Sequence, residues 1–222
     1  MKITQILYAL LLMLLSACGS STDIDGNISK NSSDFMFAGN PGTELVFETT
    51  YTEADSNGIQ VEISRDTITW TIIERNIPHP KGGISVHILE EDKTKDIPYG
   101  LYNNYYFSYN NNAIVVFTSL KDTTAAQVLK YPLTVGSQWS NQTIKSITET
   151  VHTIIGTVQA VRVESKNRIQ YFTDSTIVTV NNYFSHEVLI PLKITSYEIH
   201  DLRSNKVRIQ TATSKLIQYT KK

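Results

Sequence analysis

Glu44-Leu45-Val46-Phe47-Glu48-Thr49-Thr50-Tyr51 is the stretch whose reading decides the fold. Leu45, Phe47 and Tyr51 alternate with Glu44, Glu48 and Thr50, a period of two that sends apolar side chains to one face and polar ones to the other. The same alternation returns in Ile59-Gln60-Val61-Glu62-Ile63 and in Thr67-Ile68-Thr69-Trp70-Thr71-Ile72. β-Branched and aromatic residues between charged neighbours mark half-buried antiparallel strands. Asp55-Ser56-Asn57-Gly58 joins the first two runs as a hairpin turn, because Asn-Gly accepts the positive φ values of a tight primed turn.

Toward the C-terminus the pattern predicts strands over Ile84 to Leu89, Tyr105 to Tyr109, Ala113 to Ser119, Gln138 to Ile154, Val158 to Phe172, Ser175 to Tyr183, Val188 to Ile199 and Lys206 to Tyr219. Pro80-Lys81-Gly82-Gly83, Asn110-Asn111-Asn112, Thr173-Asp174 and Arg203-Ser204-Asn205 separate them. Thr123 to Leu129 reads as a helical turn. No βαβ spacing occurs, which argues against a parallel sheet. Residues 43–222 form one domain, long enough for a single sizeable core. The expected fold class is all-β: a single antiparallel domain of about ten strands in a strongly curved sheet or partly closed barrel, with a β-sandwich as the alternative. A flat sheet that wide would leave two edges and a bare apolar face.

Toward the N-terminus, Lys2 precedes an almost unbroken apolar run, Ile6 to Leu15, followed by the small residues Ser16 and Ala17. This is the order of an export signal. At 1.5 Å per residue, ten to twelve helical residues span about 15–18 Å, roughly half of a bilayer's hydrocarbon core, so residues 1–17 read as a cleaved signal rather than a permanent span. Leu15-Ser16-Ala17-Cys18-Gly19 resembles the lipobox of bacterial lipoproteins, whose cysteine takes a diacylglycerol on its thiol before cleavage. The resemblance implies a mature chain beginning at an acylated Cys18, anchored in the bacterial cell envelope. Gly19 in place of aspartate favours the outer membrane in a diderm host. Each buried CH₂ contributes about 0.8 kcal/mol, and one chain anchors only marginally, so lasting attachment takes two or three. Residues 18–42 are small and polar for most of their length and read as the lipidated N-terminus and a flexible tether. Within it, Phe35-Met36-Phe37 either packs as the first ordered turn against the domain or dips into the membrane.

Cys18 is the only cysteine, so no disulfide braces the domain. Removing the signal takes away Lys2 and leaves 19 basic side chains (20 − 1) against 21 acidic ones, a formal charge of −2. That balance, with no basic block beyond Lys221-Lys222, argues against a nucleic-acid partner and against an electrostatic membrane footprint.

The second half carries a further resemblance. Pro132-Leu133-Thr134-Val135-Gly136-Ser137-Gln138-Trp139, Gly156-Thr157-Val158-Gln159-Ala160-Val161-Arg162-Val163 and Tyr183-Phe184-Ser185-His186-Glu187-Val188-Leu189-Ile190-Pro191-Leu192-Lys193 resemble three successive signatures of a group of uncharacterised bacterial envelope β-domain lipoproteins. Ile190-Pro191 departs from the glycine of the third signature. The resemblance implies an antiparallel β fold, in a group with no assigned enzymatic activity. The residues agree, since Gly136 permits a turn before Trp139 packs, and Gly156-Thr157 reverses the chain between strands.

Catalytic chemistry is thinly supplied. His79, His87, His152, His186 and His200 show no pair at metal-ligand spacing, and no metal or cofactor is expected. Glu90-Glu91-Asp92 with Asp96 is the densest acidic cluster, and its alternation with Lys93 and Lys95 reads as a solvated loop. No Gly-x-Ser-x-Gly or phosphate-binding glycine loop occurs. The sequence therefore gives no catalytic residue, and the protein is not expected to be an enzyme.

Tyr102, Tyr105, Tyr106 and Tyr109, interleaved with asparagines, form the one compositional anomaly. They read either as a binding surface for a sugar or a protein, or as a hairpin whose alternate rings Tyr105, Phe107 and Tyr109 line the core while Tyr106 lies outside. The expected function is a membrane-anchored envelope lipoprotein that binds an envelope component, a glycan or an apolar ligand. The alternative is an envelope hydrolase with a dispersed site, which two carboxyl groups about 5–10 Å apart in a cleft would favour.

Overall fold

The computed structural model describes residues 39–54, 58–80, 83–92, 101–110, 113–170, 175–185, 191–202 and 206–222. The signal segment, Cys18, Phe35-Met36-Phe37 and His186-Glu187 lie outside them. Twelve strands form: β1 (Glu44–Ala54), β2 (Gln60–Pro78), β3 (Ile84–Asp92), β4 (Leu101–Asn110), β5 (Ala113–Phe117), β6 (Ala126–Lys130), β7 (Gln138–Trp139), β8 (Gln142–Thr153), β9 (Gly156–Gln170), β10 (Ser175–Ser185), β11 (Pro191–Leu202) and β12 (Lys206–Thr220).

All belong to one antiparallel sheet in the order β6-β5-β4-β3-β2-β1-β12-β11-β10-β9-β8-β7. The first strand lies beside the last, with Glu44 opposite Thr220. Two arms spread from that pair and curl until the sheet is nearly closed into a barrel. At the seam the Trp139 indole N–H donates to the Gln127 carbonyl across 3.2 Å, tying β7 to β6. One continuous sheet rules out the sandwich alternative, and near-closure meets the requirement that so many strands hide their apolar face.

Four local expectations change. Gln60–Ile63 and Thr67–Ile72 belong to the single 19-residue strand β2, because β1 pairs across Ser64-Arg65-Asp66 and a bulge at Tyr51/Thr52 carries the pairing past Ile63. Thr123–Leu129 is not helical. Ala126, Val128 and Leu129 are buried, and β6 pairs with β5, Ile114 opposite Leu129. Gln138–Ile154 divides at Ser140-Asn141, where Ser140 takes φ +52 and the chain turns from β7 into β8. β3 runs three residues beyond Leu89, to Asp92. The Asp55-Ser56-Asn57 turn lies outside the described residues, but Gly58 follows it at φ +79, in the left-handed region open to glycine.

Because consecutive strands are antiparallel, the hairpins alternate between two ends. The chain enters β1 and leaves β12 at one end, the base, where Asn40 N–H donates to the Lys222 carbonyl at 3.3 Å and Lys222 N–H to Thr43 Oγ1 at 3.1 Å. The links β1–β2, β3–β4, β9–β10 and β11–β12 lie at the opposite end, the mouth. Toward the base the interior is an apolar cluster of Leu45, Phe47, Ile72, Val86, Phe107 and Leu216 among others. Trp70 stands at its upper edge, 5.4 Å from the ring of Phe47, 5.8 Å from Phe107 and 6.2 Å from Tyr105.

Candidate functional site at the mouth of the sheet

The period of two continues from base to mouth, but the chemistry of its inward residues changes. On β1, Leu45 and Phe47 give way to Thr49 and Tyr51. On β2, read toward the mouth, Ile72, Trp70 and Ile68 are followed by Asp66 and Ser64. On β3, Val86 and Ile88 precede Glu90 and Asp92, and on β4 Phe107 and Tyr105 precede Asn103. Backbone register brings these residues together, with Thr49 opposite Asp66, Tyr51 opposite Ser64, Trp70 opposite Glu90 and Glu90 opposite Asn103.

Glu90 is the centre of this polar wall. Its Oε2 accepts the Trp70 indole N–H at 2.7 Å, and its Oε1 accepts from Asn103 Nδ2 at 3.0 Å and from the Tyr105 hydroxyl at 3.4 Å. Burial pushes its carboxyl above the ordinary carboxylate range. The three donors oppose that shift, and the like charge of Asp92 adds to it. Burial also raises the Tyr51 phenol well above its usual value, with the charges of Asp66 and Asp92 acting in the same direction. Thr49 has no exposed surface, and among the described residues its Oγ1 meets no hydrogen-bond partner; the Ser64 hydroxyl likewise meets none there. Groups left in that state are costly unless something satisfies them, so the mouth holds more hydrogen-bonding capacity than its own residues use.

The other arm contributes smaller polar residues. Ser165, Asn182 and Glu198 are buried, burial raising the Glu198 carboxyl. Gln210 Nε2 donates to Glu53 Oε2 at 3.4 Å, and Asn141 Nδ2 donates to Asn167 Oδ1 at 2.6 Å.

The tyrosines are divided between faces. Tyr105 and Tyr109 turn inward and are buried, while Tyr106 is half-buried on the outer face, its ring stacked on His87 at 4.5 Å. His87 Nε2 lies 2.8 Å from Asn104 Oδ1 beside it. Tyr102 pairs with Glu91 in backbone register, and its side chain lies outside the described residues. Among the described side chains, Tyr105 is the tyrosine that touches Glu90. The expectation of a solvated acidic loop is corrected for Glu90 and Asp92, which lie within β3 on its inward face; Asp96 is outside the described residues. What could have marked them is their parity with Val86 and Ile88. His79 is buried with its ring 3.8 Å from Phe117, and among the described residues no group of three or more His, Cys, Asp or Glu is placed to hold a metal ion.

No family model and no curated protein matches the sequence. Among solved structures the chain is similar to one from Bacteroides fragilis NCTC 9343, provisionally described as an exported protein with a YmcC-like fold. The TM-score is 0.53 at 11% identity, covering 84% of this chain and 99% of that one. A second, provisionally described as a lipoprotein from Parabacteroides distasonis ATCC 8503, gives a TM-score of 0.44 at 12% identity, covering 81% of this chain and 96% of that one. At such identities the first likeness is one of fold.

Proposed function

We propose that this protein is a lipid-anchored component of the bacterial cell envelope that binds a glycan at the mouth of its sheet, without turning it over. The anchor rests on Leu15-Ser16-Ala17-Cys18-Gly19 behind the apolar run. The observation that carries the binding role is the change of interior chemistry from base to mouth. The apolar half is filled by its own rings, which leaves little reason to assign it an apolar ligand. The mouth offers carboxyl groups, an amide and hydroxyls beside the rings of Trp70 and Tyr105, the mixture that recognises a polyol through its hydroxyls and its C–H faces. Glu90 and Asp92 stand two residues apart on one wall of β3, whereas a glycosidase places its carboxyl groups on either side of the bond it cleaves.

The test is binding of oligosaccharides released from the native envelope, followed by calorimetry on the purified protein. Asn103→Ala is expected to weaken binding about tenfold or more, while Tyr106→Ala on the outer face leaves it unchanged. Equal affinity in wild type and Asn103→Ala would remove the mouth from the function. In parallel, Cys18→Ser is expected to release a folded protein from the membrane fraction; retention to the wild-type extent would remove the anchor.

A further inference from the structure

The β8–β9 hairpin turns at Ile154-Ile155, between the paired residues Thr153 and Gly156. Turns of this kind are built from Asn, Asp and Gly, which tolerate the required backbone and face water at no cost. Here Gly156 takes the positive φ, +111, and the Thr153 hydroxyl accepts the Ile155 N–H at 3.2 Å while donating to the Gly156 carbonyl at 3.2 Å. The fold of the turn is thus supplied by Thr153 and Gly156. The two isoleucines leave much of their apolar surface in water, being 65% and 41% exposed.

Their position gives them a use. β9 pairs with β10 from Ala160 onward, and Gly156–Gln159 pair with Thr150–Thr153 of β8 to carry the hairpin to its tip. The hairpin points from the base, the end at which the chain from Cys18 enters β1 and at which Lys221 and Lys222 lie exposed. The 21 residues from Cys18 to Gly39 (39 − 18) attach at the base, so tether and tip leave the domain at the same end.

We infer that the Ile154-Ile155 tip is a membrane-docking element that enters the headgroup–acyl boundary of a lipid surface. Exposed aliphatic side chains at a hairpin tip gain by leaving water there. Docking would leave the mouth facing away from the bilayer. The inference shares with the proposed function the anchor at Cys18 and nothing of the mouth.

Site-directed spin labelling tests it on the acylated protein in vesicles of phosphatidylethanolamine and phosphatidylglycerol. Acylation consumes the only native thiol, so Ile154→Cys, Ile155→Cys and Ile177→Cys each offer a single labelling site. Ile177 is a matched control, 43% exposed on β10 toward the mouth. The expected result is an oxygen-to-nickel accessibility ratio several-fold higher at 154 and 155 than at 177. A ratio at 154 and 155 equal to that at 177 overturns the inference. The anchor is judged separately, since label incorporated into unsubstituted protein, or a mass without diacylglycerol, would sink that reading, and Ile154→Cys combined with Cys18→Ser, added to the same vesicles, would then decide the tip.

Discussion

The base and the mouth share one backbone plan and differ in what it points inward. β1 contains both: Leu45 and Phe47 fill the base, Thr49 and Tyr51 face the mouth, and neither the pleat nor the pairing with β2 and β12 is broken between Phe47 and Tyr51. The base is therefore governed by volume and area, the mouth by hydrogen-bond accounting. Loss of a methyl group matters in the first because a close-packed interior cannot collapse to fill the gap. Loss of an acceptor matters in the second because a buried donor then goes without a partner it had.

The largest effect that sharpens this contrast is expected at Ile72, which is fully buried in the base. Ile72→Ala should cost about 2–5 kcal/mol in urea unfolding, the range for deleting a buried aliphatic side chain from a packed core. A cost below about 1 kcal/mol would mean that the base is loosely packed, and the distinction between the two ends would fail.

Glu90 probes the mouth at the next level. Glu90→Leu removes the acceptor of the Trp70 indole, the Asn103 amide and the Tyr105 hydroxyl, and should cost about 1–3 kcal/mol despite adding apolar surface. Its pH dependence has a defined sign. A carboxyl whose folded pKa lies above its unfolded one contributes stability that is fully present below the unfolded value and is lost as pH rises through the folded value. Wild type should therefore lose stability relative to Glu90→Gln as pH climbs out of the ordinary carboxylate range. The opposite trend in paired urea titrations would mean that the three donors outweigh burial and that Glu90 sits ionised in a favourable field.

The base was legible in the sequence because its inward residues are apolar. Leu45, Phe47, Ile68, Trp70 and Ile72 announce both the strand and the side that is buried, and Trp139 was marked as a packing residue before its place at the seam was known. The mouth was hidden by the same logic. Once a strand's inward residues become Asp66, Glu90, Asp92 or Asn103, apolar alternation stops and the segment imitates a solvated loop, so β3 appeared to end at Leu89 and β2 to break at Ser64. Parity was the remaining signal, since Glu90 and Asp92 continue the count from Val86 and Ile88. The β6 edge strand was short and followed a polar stretch, and only its pairing with β5 distinguishes it from a helical turn.

The smallest effect decides most about the mouth. Thr49 sits where the two regimes meet, fully buried between Phe47 and Tyr51 on the inward face, with an Oγ1 that no group among the described residues satisfies. Valine has nearly the same shape and lacks the hydroxyl. If the mouth were only a structural network, Thr49→Val would be neutral or would stabilise the fold by up to about 1 kcal/mol, because an unsatisfied buried polar group is removed at little cost in packing. Retention of the hydroxyl at that cost then requires a use in the liganded protein, as expected where stability is traded for a site. Thr49→Val is accordingly expected to raise the thermal midpoint slightly while weakening the glycan titration. Unchanged binding with raised stability would mean that the ligand stops short of Thr49, and would move the boundary of the mouth outward to Tyr51 and Ser64.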